Sequence, residues 1–185
     1  MTVTDVLMHR LSEAMDSLLA VDGLSALVQQ IQHLVVLPEL GFSEGALLNS
    51  HLRLIDRLLM DNGGDDRLRN LVESNLFKSL RTIFEQPSKF MPETLAHSVS
   101  ILSSFIHHEP TSLTFLQEQG VPEALLSVLQ NHPIPAQSDL IVRLPQAFSA
   151  LCLNPAGVAQ FTACNPSKKL LELFLNPDVY LKALK

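Results

Sequence analysis

Apolar residues recur at the three- and four-residue spacing of an amphipathic helix along most of the chain, and nowhere does a period of two persist as a half-buried strand requires. Leu7, Leu11, Met15, Leu18 and Leu19 mark a first helix, which Asp22-Gly23 stops. A second runs from Leu24 to about Leu37 and pairs with the first as a helical hairpin. Pro38, Gly41, Phe42 and Gly45 mark a loop. Leu47, Leu48, Leu52, Ile55, Leu58 and Leu59 then form a long helix ended by Asn62-Gly63-Gly64, and Leu68, Leu71 and Val72 a short one begun by Asp65-Asp66. The pattern predicts an all-α chain.

From there the helices repeat. The unit reads NLFKSLRTIF from Asn75, GVPEALLSVL from Gly120 and NPSKKLLELF from Asn165, each 45 residues after the last, with a looser copy, DGLSALVQQI, from Asp22. Pro110 and Pro155 keep the same spacing, and each is expected to begin a short helix where its missing amide donor does no harm. The stretches LAHSVSILSSFIHH and LPQAFSALCLN supply the long helix before them. Each unit is thus a long helix, a short proline-started helix and a closing helix that ends near Phe84, Leu129 or Phe174. Helical repeats of about 40 to 47 residues are the signature of armadillo and HEAT solenoids. The expected fold is a right-handed α-solenoid of armadillo/HEAT-like repeats, with residues 1–185 as one segment. Pro145 falls inside the third long helix and predicts a bend or break at Leu144. The loops at Gln86 to Met91 and His132 to Gln137 are short and proline-marked, as tight stacking requires.

Composition narrows the function. With 46% hydrophobic residues the chain can bury a core, while a net charge of −6 and 5% aromatic residues leave neither a basic field nor stacking platforms for nucleic acid. Arg67 with Arg69 and Lys168 with Lys169 read as solvated helix faces. The longest apolar clusters fall far short of the ~20 residues that span a bilayer, and the N-terminus lacks the cationic and apolar blocks of a secretory signal. Two cysteines cannot staple a chain of this length, so reduced thiols in the cytosol or nucleus are expected.

No catalytic, cofactor-binding or metal-binding residue is assigned. His107 and His108 adjoin Glu109, but neighbours on a helix point about 100° apart and make a poor joint ligand set, whereas histidines suit the end of a helix dipole. Cys152 and Cys164 have neither C-x-x-C spacing nor a neighbouring base, and read as packing residues. Asp61 to Asp66 lacks the ligand order and terminal glutamate of a calcium loop and reads as a helix stop followed by a helix start. Phosphate-loop, nucleophile-elbow and H-E-x-x-H motifs do not occur.

The run LPQAFSALCLNPAGVAQFTACNPSKKLLELFLNP, from Leu144 to Pro177, closely resembles the N-terminal armadillo-like region of the giant HECT-type E3 ubiquitin ligases, the family that also carries UBA and WWE modules. Residues Ser79 to Leu129 resemble the preceding repeat of that region, and the likeness extends over Leu47 to Leu184. The resemblance implies a curved scaffold that presents protein substrates to a distant HECT domain, whose catalytic cysteine carries ubiquitin as a thioester. Nothing in this sequence corresponds to that domain, so neither Cys152 nor Cys164 inherits its role, and the chain reads as a piece of a longer ligase. The implied partners are protein substrates and flanking repeats of the same ligase, with no cofactor, nucleic acid or membrane. A free-standing armadillo adaptor and a small helical enzyme built on Cys152 or the His107-His108 pair are the alternatives. A solenoid cut from its neighbours exposes a stacking face, so self-association of the isolated chain, or a need for flanking repeats, is expected.

Overall fold

Helices one sequence period apart lie side by side in the computed structural model, which describes residues 23–62, 75–132, 135 and 137–175. Among the described residues there are nine α-helices and no strand: α1 (Gly23–Val36), α2 (Phe42–Asn62), α3 (Leu76–Glu85), α4 (Pro92–His108), α5 (Ser112–Glu118), α6 (Val121–Asn131), α7 (Ser138–Leu151), α8 (Pro155–Cys164) and α9 (Pro166–Leu175). A single 3-10 turn, Pro87–Lys89, fills the link between α3 and α4. The helices expected around Leu7–Leu19 and Leu68–Val72, and the hairpin that the first would form, lie outside the described residues.

Two rows result. The long helices α2, α4 and α7 pack in that order, α4 in the middle. The closing helices form the second row, α1 on α3, α3 on α6 and α6 on α9, which gives α1 the place that the looser repeat copy at Asp22 suggests. Contacts of α1 with α2 and of α3 with α4 join the rows, while α5 packs on α6 and α8 on both α6 and α7.

The sequence accounts for these contacts directly. In α3 the buried residues Leu76, Phe77, Leu80, Ile83 and Phe84 form one helical stripe, and the opposite face holds Lys78, Arg81 and Glu85. Helix α4 has neighbours on nearly every side and buries eleven of its seventeen residues. Ala96, Ser98, Ser100 and Ser103 are among these, and such small side chains let α2 and α7 approach closely. Its Pro92 sits in the first turn, Glu93 beside it and His107 and His108 in the last turn, each placed as the helix dipole favours. Phe105 of α4 meets Phe77 of α3 with ring centroids 4.8 Å apart, and Phe148 of α7 meets Phe161 of α8 edge to face at 5.2 Å.

The period also appears in the backbone. Gly120 and Asn165, equivalent positions between a short and a closing helix, both adopt left-handed conformations with φ of 72° and 46°. Glycine pays no steric penalty there, and asparagine is among the few residues that visit the region readily. Asn75, at the same phase in the first unit, differs, with φ −79°. The other demanding glycine is Gly157, buried in the first turn of α8: a Cβ there would lie 1.8 Å from the Leu151 carbonyl oxygen. Its amide donates to the side chain of Asn154, the N-cap, at 2.7 Å.

Three expectations need correction. The long helix α2 begins at Phe42, so Gly45 belongs to its first turn instead of a loop; the amide of Gly45 bonds the Gly41 carbonyl, and its missing side chain admits Met91. Of the bend or break expected at Leu144, the break does not occur, since α7 runs through Pro145 to Leu151. The proline ring is exposed, and burial of Leu140, Ile141, Leu144, Ala147 and Phe148 along the opposite face holds the helix together. Pro155 starts α8 as expected, but Pro110 leads a turn whose helix begins at Ser112.

Candidate functional site

Contacts between successive repeats fall into two groups of polar side chains. The first lies in the row of closing helices, at the hinge that precedes each of them. Asn75 Nδ2 donates to Gln32 Oε1 of α1 at 3.2 Å, Arg81 of α3 donates to the Gln119 carbonyl at 3.0 Å, and Gln130 of α6 donates to the Cys164 carbonyl at 3.0 Å. In the last two, the acceptor is the residue just before the left-handed hinge, where a helix end leaves a carbonyl in need of a donor. Beside these, Gln117 and Asn154 exchange a reciprocal pair of amide hydrogen bonds at 3.2 and 3.0 Å, and Gln160 bridges to Glu123.

The grooves between these helices are open and charged with both signs. One of about 330 Å³ lies between α3 and α6 and is lined by Arg81, Glu85, Glu123 and Ser127. Another, of about 400 Å³, lies between α6 and α9 and carries Gln130, Lys168, Lys169 and Glu172. Their chemistry can hydrogen-bond and ion-pair with a polypeptide. Neither has the enclosed walls of a small-molecule pocket.

The second group is buried in the row of long helices. Asp56 of α2 accepts from His97 Nδ1 of α4 and from Arg143 Nη1 of α7, both at 3.0 Å on the same carboxylate oxygen, so one side chain ties three successive long helices. Only 5% of the Asp56 side chain is exposed. Burial pushes the Asp56 carboxyl up, but the hydrogen bond from His97, a lesser contribution from Ser100, and the charges of Arg143 and His97 outweigh it and hold the pKa below the ordinary value. The second oxygen of Asp56 and the Ser100 hydroxyl make no hydrogen bond of ordinary geometry, so Ser100 acts by proximity. His51, also on α2, is held below its ordinary value of 6.5 by burial.

An aspartate orienting a histidine Nδ1 is half of a catalytic triad. The other half would be a nucleophile on the far ring nitrogen, and among the described contacts His97 has its hydrogen bond with Asp56, while Ser100 lies on the carboxylate side. What the cluster does show is a tie between three successive long helices. Sequence reasoning did not single it out, although a signal existed: His97 follows Asp56 by 41 residues and Arg143 follows His97 by 46, each a polar residue set among apolar helical positions about one period apart.

The residues weighed from sequence do not come together. His107 and His108 are exposed at the end of α4, with Glu109 as its C-cap. Cys152 follows α7 and Cys164 closes α8; both are free thiols. Burial raises both thiol pKa values, with Gln130 partly offsetting it at Cys164, so neither is primed as a thiolate. The Cys164 thiol instead donates to the Leu126 carbonyl at 3.5 Å. Asp61 and Asn62 end α2, and the rest of the acidic loop, with Arg67 and Arg69, lies outside the described residues. Among the described residues no three His, Cys, Asp or Glu side chains converge to hold a metal ion, and no helix is long and apolar enough to cross a membrane.

Comparison with known proteins adds what the geometry leaves open. A family model described as Domain of Unknown Function (DUF913) matches residues 1–185. The E3 ubiquitin-protein ligase HUWE1 of Mus musculus is 31% identical over 140 residues, covering 76% of this chain and 3% of the relative. The E3 ubiquitin-protein ligase ptr1 of Schizosaccharomyces pombe is 34% identical over 128 residues, with 69% and 4% covered. The E3 ubiquitin-protein ligase TOM1 of Saccharomyces cerevisiae is 32% identical over 152 residues, with 81% and 4% covered. The chain thus spans only a few per cent of the length of the curated relatives it matches, and the resemblance to giant E3 ubiquitin ligases read from the Leu144–Pro177 run is borne out.

Proposed function

The chain belongs to the DUF913 family, and on that footing we propose that it is a non-catalytic, armadillo-like segment of a HECT-type E3 ubiquitin ligase. It contributes scaffold and presents protein substrates to a catalytic domain elsewhere in the ligase. The observation that carries the reading is the double row of helices, in which units of one period pack long helix on long helix and closing helix on closing helix. That is the packing expected of a right-handed armadillo-type α-solenoid whose repeats bury their apolar faces only against neighbours.

The mechanism is positional. A stack tied through its core by Asp56, His97 and Arg143 holds a bound protein at a set distance from a remote active site. Such placement raises the effective concentration of the substrate and leaves the chemical barrier to other residues. The mixed-charge grooves along α3, α6 and α9 offer hydrogen bonds to a polypeptide, and a cytoplasmic or nuclear setting suits the two free thiols.

Incubation of the chain with ubiquitin, an activating enzyme and a conjugating enzyme tests the non-catalytic half: no thiol-sensitive ubiquitin adduct is expected on Cys152 or Cys164, and one would contradict the reading. Removal of the matching segment from full-length TOM1 of Saccharomyces cerevisiae tests the other half. Thioester formation by the ligase should survive, and ubiquitination of its protein substrates should fall. Unchanged substrate ubiquitination would leave the chain better described as a free-standing adaptor.

A further inference from the structure

Successive closing helices carry the same grooves. Lys78, Arg81, Thr82, Glu85 and Gln119 line one groove, and the residue 45 positions after each of them lines another, between α6 and α8. The α3–α6 and α6–α9 grooves are related in the same way, six of the eight residues around the first having their equivalents around the second. The four grooves adjoin, since Arg81 and Glu85 are shared by the first two along the row, Glu123 and Ser127 by the next two, and Gln130 and Cys164 by the last two. One open track therefore runs from α3 across α6 to α9.

One position on this track changes sign at each step. Lys78, Glu123 and Lys168 lie 45 residues apart, each is the third residue of its closing helix, and each is exposed. Between them Arg81 pairs with Glu85 at 2.6 Å, so those two charges offset each other. Gln160, which bonds Glu123, is neutral and leaves the carboxylate its charge. Lys169 and Glu172 line the groove with Lys168 and leave the α9 end positive. The first turn of a helix favours an acidic side chain over a basic one. Glu123 fits that preference, but Lys78 and Lys168 oppose it, so the stability of α3 and α9 does not account for them.

We propose that this track binds an extended segment of a partner protein that carries an acidic, a basic and an acidic residue at three-residue spacing, seated on Lys78, Glu123 and Lys168. Helices packed side by side lie about 8–10 Å apart, and an extended chain at about 3.3 Å per residue crosses that distance in about three residues. Each exposed ion pair is weak, so selectivity comes from all three meeting in register. No stretch of this chain carries the pattern, which selects a partner over a second copy. This rests on the substrate-presenting reading and names the feature by which a substrate is held.

Fluorescence anisotropy of labelled twelve-residue peptides, titrated with the full chain at low salt, tests this. The probe holds aspartate, arginine and aspartate three residues apart among serines, and the control has the same composition with the two aspartates side by side. The probe should bind about tenfold tighter than the control, and the difference should fade as salt is added. The triple variant Lys78→Glu, Glu123→Lys, Lys168→Glu should instead prefer a peptide with arginine, aspartate and arginine at the same spacing. If circular dichroism shows that the triple variant has lost helix, Glu123→Lys alone should remove the preference for the probe. Equal binding of probe and control overturns the proposal, and so does a folded variant that keeps the original preference. Equal binding by a chain whose deletion from the ligase still lowers substrate ubiquitination would sink this inference alone and leave the scaffold reading standing.

Discussion

In the row of long helices, successive repeats are joined by buried contacts: small side chains of α4 let α2 and α7 close in, and Asp56 binds His97 and Arg143 away from water. In the row of closing helices the polar joints lie at the hinges, where partly exposed side chains such as Arg81 and Gln130 bond backbone carbonyls. A buried charge that loses its partners has nothing to replace them, whereas an exposed donor can turn to water. The difference assigns the two rows different work. One joins successive repeats through buried contacts, and the other through contacts that share the surface with solvent.

The largest effect expected from disturbing this contrast is that of Asp56→Ala, which leaves Arg143 and His97 facing each other without a carboxylate. A loss of about 3 kcal/mol is expected in urea unfolding. A loss below about 1 kcal/mol would mean that the long-helix row does not depend on its buried tie. Gly120→Ala should cost less, about 1–2 kcal/mol, because alanine must hold a left-handed φ of 72°. The guanidinium of Arg81 lies 3.4 Å from the position of the new Cβ and can shift to admit it. The same unfolding measurement checks it. Smallest is Arg81→Ala, where about half of the side chain is exposed and both its Glu85 ion pair and its bond to Gln119 compete with solvent: under about 1 kcal/mol is expected. If Arg81→Ala costs as much as Asp56→Ala, the distinction between the rows is lost.

Acid sharpens the same comparison. The folded pKa of His51 is lowered, so as pH falls below about 6.5 the unfolded chain takes up a proton first and stability declines. The folded pKa of Asp56 is also lowered. Its contribution is complete above the unfolded carboxylate value of about 4 and is lost as pH falls further, through the folded pKa. Thermal unfolding followed against pH should show both losses. Asp56→Ala should abolish the lower one and keep the upper.

Most of the fold was legible because it is written in apolar spacing. The stripe from Leu76 to Phe84 specifies α3 and the face it buries, and the 45-residue period specifies which helices are equivalents. The hinge was half legible: Gly120 announces a left-handed turn, and only its phase reveals that Asn165 makes the same one. Pro145 misled because local backbone preference was outweighed by the burial of five apolar neighbours on α7. The start of α2 misled because Gly45 resembles a loop residue until Met91 is seen against it. The polar tie escaped notice for a different reason. Asp56, His97 and Arg143 are unremarkable one at a time, and their meaning lies in a contact across 87 residues that no local pattern encodes. Candidate chemistry at His107, His108, Cys152 and Cys164 was weighed locally, and the packing shows the two cysteines serving helix ends.

The central claim is that units one period apart stack in register, so that the first and third long helices come close enough to meet directly through Asp56 and Arg143. A double-mutant cycle between Asp56 and Arg143, with Asp56→Ala, Arg143→Ala and the pair compared by urea unfolding, measures the coupling across two repeats. A coupling free energy of about 1 kcal/mol or more is predicted. Additivity to within about 0.3 kcal/mol would contradict the stack as described.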